Sequence, residues 1–190
     1  EESIKDELIE KVIAAGAKMQ PGDPLDPKTE MGAIVDEGQM NRVLGYIEKG
    51  SAEGGVLRTG GKRARTETGG YYVEPTVFDG IKNDMTIAKE EIFGPVLSVI
   101  SVKDWKEAVQ TANDTPYGLA AAVWTRDINK AHMTAKKLRS GLVWVNCWDG
   151  GSITMPFGGY KQSGTGRDRS LHALDKYCEM KSTWIALGDA

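Results

Sequence analysis

The sequence predicts an α/β protein with an open, mostly parallel sheet flanked by helices. Short apolar runs at 96–100, 119–124 and 142–146 suit strands that are covered on both faces. Amphipathic segments with helical spacing alternate with these runs. Strand–helix–strand units of this length imply parallel strands joined by right-handed crossovers. In such a sheet, ligands bind beyond the carboxyl ends of the strands.

The first third of the chain is predicted to contain two helices separated by a loop. Ser3 and the apolar residues spaced after it predict a capped helix that ends near Gly16. Three prolines between positions 21 and 27 exclude a helix or a central strand and predict an ordered loop. Asp36 then caps a second helix, which ends near Gly50.

A glycine-rich segment separates the next two predicted strands, at 56–58 and 71–78. The segment 60–65 reads Gly-Gly-Lys-Arg-Ala-Arg, which superficially suggests a phosphate-binding loop. It lacks the Walker spacing and the following Ser or Thr and helix, so a solvated hairpin turn is the better interpretation. Pro75 indicates that the second strand lies at an edge or carries a bulge.

The C-terminal half alternates helices and strands more regularly. Asp104 and Glu107 form a predicted capping box at the start of one helix, and Asp127 caps the next. The strands at 119–124 and 142–146 each follow one of these helices. A last helix near 171–177 precedes a terminal strand at 183–187. Two loops are therefore the best candidates for ligand binding: the one before residue 96 and the one from 146 to 166.

Composition narrows the possible partners. The 190 residues suffice to bury a real core, and 27% charged residues with a net charge of −3 are ordinary for a globular protein. The sequence has no basic tract that would favour nucleic acid and no apolar run long enough to span a membrane. Because no signal peptide precedes the first helix, we expect a cytoplasmic protein.

The two cysteines do not predict a metal site or a disulfide framework. Cys147 and Cys178 lack CxxC spacing, and the chain has only two histidines. Cys147 follows a predicted strand, so it could serve as the nucleophile of a stand-alone thiol enzyme. Neither histidine is near it in sequence, and we favour a structural cysteine or one in the wall of a substrate site. Cys178 is predicted to pack on a helix.

The most informative stretch is Lys-Glu-Glu-Ile-Phe-Gly-Pro-Val at 89–96. Gly94 and Pro95 end any helix that carries the two acids, because proline fixes its own φ and disfavours helical geometry in the residue before it. Glu91 and Phe93 therefore lie in a loop that leads into a strand, a common position for functional side chains.

Three segments occur in the order found in one known family. They are Glu-Glu-Ile-Phe-Gly-Pro-Val at 90–96, Asn-Asp-Thr-Pro-Tyr-Gly-Leu-Ala at 113–120, and Pro-Phe-Gly-Gly-Tyr-Lys-Gln-Ser-Gly-x-Gly-Arg at 156–167. Together they resemble the signatures of the aldehyde dehydrogenase superfamily. The resemblance covers essentially the whole chain but only the C-terminal portion of the family's length. Within the family, residues 149–176 are most similar to bacterial gamma-glutamyl-gamma-aminobutyraldehyde dehydrogenases of putrescine breakdown.

This resemblance implies oxidation of an aldehyde substrate to a carboxylic acid with NAD or NADP as cofactor. In the family, a cysteine thiolate attacks the carbonyl, hydride passes to the nicotinamide, and a glutamate-activated water hydrolyses the thioester. By the same resemblance, Glu91 would bind the hydroxyls of the nicotinamide ribose and Phe93 would pack beside the nicotinamide ring.

The resemblance also assigns residues to the substrate path. Phe157 would line the aldehyde tunnel, and Trp148 and Asp149 would shape its mouth. Cys147 matches a non-nucleophilic position and would belong to the tunnel wall.

In relatives, the nucleophilic cysteine, the general base and the dinucleotide domain precede the segment that this chain matches. We therefore expect residues 1–180 to form a catalytic-domain fragment that is inactive alone and has no catalytic residue of its own. Residues 181–190 would form an oligomerisation strand and tail, so a homo-oligomer is expected. The alternative from a different class is a non-catalytic assembly or binding module.

Overall fold

The computed structural model describes residues 1–188. The chain separates into two compact units, Glu1–Thr111 and the residues from Ala112 onward. The predicted boundary at residue 180 stays a prediction. The last two residues of the predicted 181–190 tail lie outside the described part of the chain.

The first unit contains most of the helices and strands. Its helices are α1 (Lys5–Gly16), α2 (Glu37–Ala52) and α3 (Thr86–Lys89), and α4 (Trp105–Asn113) begins in this unit and ends two residues after its boundary. Two 3-10 turns lie at Glu2–Ile4 and Thr66–Thr68. Its strands are β1 (Val56–Thr59), β2 (Arg63–Ala64), β3 (Tyr72–Val73), β4 (Thr76–Asp79) and β5 (Val96–Ser98).

Helix α2 begins where the sequence predicts and has the predicted cap. The Asp36 carboxylate accepts a hydrogen bond from the Gln39 backbone N–H at 2.7 Å. The corresponding prediction for Ser3 is wrong, because a 3-10 turn occupies Glu2–Ile4 and α1 begins only at Lys5, without a side-chain cap. In α4, Asp104 accepts from the Glu107 backbone N–H at 3.0 Å, which confirms that cap.

The strands of the first unit form two small sheets. Strand β4 lies between β1, which is antiparallel to it, and β5, which is parallel. Strands β2 and β3 form a separate antiparallel hairpin. The solvated hairpin turn predicted at 60–65 is wrong in its second half, because Arg63 and Ala64 form β2 and pair with β3. Pro75 lies between β3 and β4 and divides the single strand predicted at 71–78, because proline donates no hydrogen bond to a sheet.

The core of the first unit lies between α2 and the segments from β3 to the loop before β5. Its buried side chains are apolar, and Phe78 and Val43 are completely inaccessible. The members are Met40, Val43, Ile47, Val73, Phe78, Ile81, Met85, Ile87 and Ile92. Because Ile92 belongs to this core, the loop that carries Glu91 and Phe93 is fixed to it at its centre.

The second unit is smaller and contains one parallel pair. Strand β6 (Ala120–Val123) pairs with β7 (Leu142–Val145), and α5 (Ile128–Lys137) connects them. The Asp127 carboxylate accepts from the backbone N–H groups of Asn129 and Lys130, which confirms the predicted cap. Two 3-10 turns follow, at Lys161–Ser163 and Leu171–Lys176, and the second replaces the helix predicted at 171–177.

Close contacts between backbones hold the second unit together. A Cβ atom on Gly141 would overlap the carbonyl oxygen of Gly158, and one on Gly118 would overlap that of Arg139. Only glycine permits such contacts. Gly158 and Gly159 of the 156–167 motif are confined in the same way, because a Cβ atom on Gly158 would overlap the Gly166 carbonyl oxygen and one on Gly159 would lie 2.5 Å from Cβ of Ser163. These glycines let backbone segments pack closely in this unit.

The α/β class is confirmed, but the single open sheet is not found in residues 1–188. The strands form three small sheets, and the parallel pairs β4–β5 and β6–β7 belong to different ones. A sheet extends only where an edge strand meets another backbone, and in this part of the chain β5 pairs with β4 alone. Within residues 1–188, the segment 183–187 is exposed and does not form the predicted terminal strand, so its role in oligomerisation stays a prediction. No helix within residues 1–188 is long and apolar enough to cross a membrane.

Candidate functional site

The loop between α3 and β5 holds one buried and one exposed side chain in adjacent positions. Ile92 is 8% exposed, whereas Phe93 is 71% exposed. Phe93 has a φ of +52°, a left-handed conformation that is uncommon for a bulky residue. Such a conformation persists only where surrounding contacts determine it. The loop therefore presents an aromatic ring to the outside at some conformational cost.

A side-chain amide from α2 supplies one of those contacts. The Nε2 atom of Gln39 donates to the carbonyl oxygens of Ile92 and Phe93 at 3.0 and 3.2 Å. Sequence reasoning missed this role for Gln39. The available signal was the Asp36-x-x-Gln39 spacing, which is typical of a capping box. Here the backbone of Gln39 takes part in the cap, while its side chain reaches a loop 53 residues away.

Gly94 allows the loop to lie directly on the same helix. A Cβ atom at this position would lie 2.6 Å from Cγ2 of Val43, closer than real side chains approach. Val43 is fully buried and cannot move aside. The Gly-Pro step after Phe93 thus closes the loop against α2.

The two acids of the loop have different environments. Glu90 accepts a hydrogen bond from the Tyr46 hydroxyl at 2.8 Å. Glu91 is exposed, and among residues 1–188 no group hydrogen-bonds its carboxylate. Beside Phe93 there is an open cavity of about 510 Å³, whose lining is largely apolar; it consists of Ala33, Ile34, Val35, Gln39 and Phe93.

The loop after β7 carries three of the predicted substrate-site residues. Cys147, Trp148 and Asp149 are all exposed, and Trp148 is 65% accessible. Asn146 and Asp149 have φ values of +55° and +54°, so the chain turns sharply at both. The indole Nε1 of the buried Trp144 donates to the carbonyl oxygen of Gly150 at 2.6 Å. The rings of Trp144 and Trp148 lie 4.8 Å apart at 48°.

Phe157 lies in a different segment of the second unit. It is half-buried and exchanges two backbone hydrogen bonds with Asp168, at 2.7 and 2.6 Å. The Arg169 guanidinium lies 5.3 Å from its ring centroid. Nearby, the Tyr160 ring is contacted by the guanidinium groups of Arg139 and Arg167. Phe157 is thus held firmly by its backbone.

The cysteines do not form part of a nucleophilic or metal-binding cluster. In the described part of the chain both thiols are free and exposed, and no group of three or more His, Cys, Asp or Glu residues could hold a metal ion. The predicted packing role of Cys178 is wrong, because the last 3-10 turn ends at Lys176 and Cys178 follows it in an exposed segment.

The structure therefore groups the predicted residues in two ways. In the first unit, Glu91 and Phe93 share one loop. In the second unit, Cys147, Trp148 and Asp149 share another, and Phe157 lies on a separate segment.

Known proteins of one family resemble this chain closely. The model of the aldehyde dehydrogenase family matches residues 1–183. Human mitochondrial aldehyde dehydrogenase is 45% identical over 185 residues, which are 97% of this chain and 35% of that protein. The NADP/NAD-dependent aldehyde dehydrogenase PuuC of Escherichia coli is 44% identical over 187 residues, 98% of this chain and 37% of that protein.

Solved structures agree with these relatives. A mutant of the P. syringae indole-3-acetaldehyde dehydrogenase AldA, in complex with NAD+ and IAA, has a TM-score of 0.95 and 62% identity, over 98% of this chain and 38% of its own. The gamma-glutamyl-gamma-aminobutyraldehyde dehydrogenase of Burkholderia cenocepacia has a TM-score of 0.91 and 63% identity, over 95% and 36%. The chain thus spans between a third and two fifths of the length of the relatives it matches.

Proposed function

The chain belongs to the aldehyde dehydrogenase family of oxidoreductases, and from this we propose that it forms part of an enzyme that oxidises aldehydes to carboxylates. In this proposal the first unit contributes contacts to the nicotinamide half of NAD+ or NADP+. The second unit contributes part of the wall of the aldehyde site. When bound, the cofactor accepts hydride from the substrate.

The observation that carries the proposal is the Phe93 loop. Its ring is 71% exposed, although the residue before it is buried in the core and its backbone is held in a left-handed conformation. An exposed aromatic ring beside a largely apolar cavity offers a flat surface for a nicotinamide. The Gln39 amide fixes that surface through the two carbonyl oxygens on either side of the ring's own Cα.

Glu91 supplies the polar part of this site. Its exposed carboxylate has no protein partner in the described residues, so it is available to accept hydrogen bonds from both ribose hydroxyls. Bonds to a charged acceptor are stronger than neutral ones. Glu90 is already held by Tyr46 and is not assigned to the cofactor.

The loop after β7 and Phe157 are assigned to the aldehyde. Trp148 and Asp149 would form the mouth of the substrate path, with Phe157 and Cys147 in its wall. An exposed indole next to a carboxylate suits a substrate whose far end is cationic, because the ring face and the acid both attract positive charge. This chemistry supports an aminoaldehyde of polyamine breakdown as the substrate, in agreement with the Burkholderia relative. The AldA relative is an indole-3-acetaldehyde dehydrogenase at nearly the same identity, so the carboxylate beside the indole, and not the identity, carries this part of the proposal.

Cys147 is not the nucleophile in this proposal. Among residues 1–188, the Cys147 thiol is free and exposed, and no base hydrogen-bonds it to activate it as a nucleophile. The attacking thiolate and the general base would come from polypeptide outside these residues, and the 190-residue chain alone would be inactive. Turnover by this chain alone, retained in a Cys147→Ala variant, would contradict that statement.

Oligomerisation through 183–187 and a cytoplasmic location are also parts of the proposal. Trp184, Ile185 and Leu187 are at least 73% exposed, and a sheet edge of a second copy would cover them. The same exposed segment supports the second candidate function, a non-catalytic assembly module. Sedimentation that gives a monomer at high concentration would argue against both.

A pair of matched variants tests the cofactor assignment. In the longer polypeptide that contains this segment, Glu91→Gln should raise the KM for NAD+ about tenfold, which corresponds to about 1.4 kcal/mol. Glu90→Gln makes the same chemical change one residue away and should leave that KM within about twofold. Equal effects of the two variants would contradict the assignment, and no aldehyde-dependent reduction of NAD+ or NADP+ by the unmodified protein would overturn the function.

A further inference from the structure

The parallel pair β6–β7 ends in a side-chain clasp made by Asn146. The last backbone bond of the pair runs from the Asn146 N–H to the Val123 carbonyl oxygen at 2.8 Å. Beyond it, the Asn146 side-chain oxygen accepts from the Thr125 N–H at 2.8 Å. Its Nδ2 atom donates to the Thr125 carbonyl oxygen at 2.9 Å. One carboxamide thus satisfies both backbone groups of Thr125.

This clasp lets the backbone leave the sheet while the two strands stay joined. In a continuing ladder, the backbone of the next residue would bond the neighbouring strand. Here Asn146 has a φ of +55°, and the chain turns away at this residue. Asparagine tolerates this conformation better than most residues other than glycine. Asn146 therefore combines the turn and the strand contact in one side chain.

The far end of the same loop is also attached to β7. The Trp144 indole donates to the Gly150 carbonyl oxygen at 2.6 Å, and its ring contacts that of Trp148. The three residues between the attachments are exposed, yet the start and the end of their segment are fixed. The direction in which Trp148 and Asp149 project thus depends on the Asn146 clasp.

We propose that Asn146 is a positioning residue that sets which aldehydes the site accepts, by fixing the loop that carries Trp148 and Asp149. This inference rests on the function proposed above, in which that loop forms the mouth of the substrate path. Loss of the clasp would allow the indole to move, so bulky aldehydes would be affected more than small ones.

Two variants separate the turn from the clasp. Asn146→Gly keeps the left-handed backbone accessible and removes both side-chain bonds. Asn146→Asp keeps the acceptor for the Thr125 N–H but replaces the donor with an oxygen. Asn129→Asp is the matched control, because it makes the same chemical change at an exposed position of α5.

The first measurement is hydrogen exchange at the Thr125 amide in the longer polypeptide that contains this segment. Because this amide donates to Asn146, its protection reports the clasp directly. Protection should fall about tenfold or more in Asn146→Gly, fall less in Asn146→Asp, and stay the same in Asn129→Asp. An unprotected Thr125 amide in the unmodified protein would overturn the inference.

The second measurement is the ratio of kcat/KM for phenylacetaldehyde to that for acetaldehyde. This ratio should change about tenfold in Asn146→Gly, less in Asn146→Asp, and less than twofold in Asn129→Asp, with the change in the KM for phenylacetaldehyde rather than in kcat. Loss of Thr125 protection with an unchanged ratio would overturn the inference and leave the proposed function standing. If only 4-aminobutyraldehyde is oxidised by the unmodified protein, its KM is compared across the same three variants and should rise in Asn146→Gly alone or most. Oxidation of neither these two aldehydes nor 4-aminobutyraldehyde by the unmodified protein would overturn the proposed function, and the inference with it.

Discussion

The loop before β5 and the loop after β7 both present an exposed aromatic ring, but different contacts hold them in place. Each presents an exposed aromatic ring, Phe93 or Trp148, on a backbone that contains left-handed non-glycine residues. The first loop is held from outside, by Gln39 on a helix more than fifty residues earlier in the chain. The second is held by its own neighbours in sequence: Trp144 of β7, and Asn146, which directly follows β7.

The two loops are held by the same kind of chemical group. In both loops a side-chain carboxamide binds backbone groups that no β-ladder reaches. A carboxamide has both donors and an acceptor and carries no charge, so it can serve either kind of backbone group without a large desolvation cost. The two loops differ in the packing of the unit to which each belongs. An apolar core supports the first, and contacts between glycine backbones support the second unit.

The largest effect should follow from breaking a glycine contact of the second unit. Gly141→Ala would place a methyl group on the Gly158 carbonyl oxygen, and backbone atoms on both sides cannot easily move. We expect a loss of about 3 kcal/mol or more in the free energy of unfolding, at the upper end for overpacking. Urea denaturation checks this. Gly45→Ala is the control, because nothing lies within 4 Å of its Cβ and alanine favours a helix. A loss below about 1 kcal/mol for Gly141→Ala would contradict the claim that close contacts between glycine backbones stabilise the second unit.

A smaller loss is expected when the first loop is lifted from α2. Gly94→Ala would bring a Cβ atom within 2.6 Å of Val43, which is fully buried. The cost should be about 2 kcal/mol, because one loop can shift where two packed backbones cannot. The KM for NAD+ should rise as well, since the shift moves Phe93. A destabilised variant with an unchanged KM for NAD+ would contradict the claim that this loop contacts the cofactor.

Removal of the long-range clamp should have a milder effect. Gln39→Leu keeps the size of the side chain but removes the two hydrogen bonds to the loop carbonyls. We expect a loss of about 1 kcal/mol, since both carbonyl groups can bond to water once released. Faster hydrogen exchange in residues 92–96 would report the freed loop. Gln110→Leu, at an exposed position of α4, is the control and should leave that exchange unchanged.

The smallest expected effect is a pH dependence that belongs to the first unit alone. Burial by itself would raise the pKa of Asp79, but hydrogen bonds from Lys5 and the Gly80 N–H, together with the charges of Lys5 and Arg58, lower the net pKa from 3.8. The stabilisation from this carboxylate is therefore present above about pH 3.8 and is lost as the pH falls through the lower folded-state value. Asp79→Asn should be less stable at pH 7 and should lose less stability on acidification.

Thermal unfolding between pH 7 and pH 2 measures this effect. Glu48→Gln, at an exposed position of α2, removes a charge without touching the Asp79 contacts and is the control. An acid dependence of Asp79→Asn that matches the unmodified protein would mean that the ion pairs of Asp79 with Lys5 and Arg58 contribute nothing to stability.

Local sequence signals predict local structure well in this chain. The caps at Asp36, Asp104 and Asp127 are confirmed, because a cap depends on a side chain and the backbone two or three residues after it. The cap predicted at Ser3 is wrong because a 3-10 turn competes for the same residues. Leu171 and its successors have helical spacing, but they form only a 3-10 turn whose apolar side chains are largely exposed.

Long-range contacts are the part that a single sequence does not reveal. The motif at 90–96 and its resemblance to a family pointed to Glu91 and Phe93, but nothing local indicates that Gln39 would bind their loop. The same limit applies to Glu90, whose hydrogen bond comes from Tyr46, 44 residues earlier. The open sheet stays unconfirmed for a similar reason, since apolar runs predict strands but not which strands pair.

A fluorine label on the ring of Phe93 tests the central claim most directly. 4-Fluorophenylalanine is placed at position 93 and, in a matched sample, at position 78, where the ring is fully buried. The label is carried by the longer polypeptide that contains this segment. Titration of that protein with NAD+, under conditions that support aldehyde oxidation, should shift the ¹⁹F resonance at position 93 and leave the one at position 78 unchanged. Saturation with NAD+ without any change at position 93 would contradict the claim that this loop presents its ring to the nicotinamide.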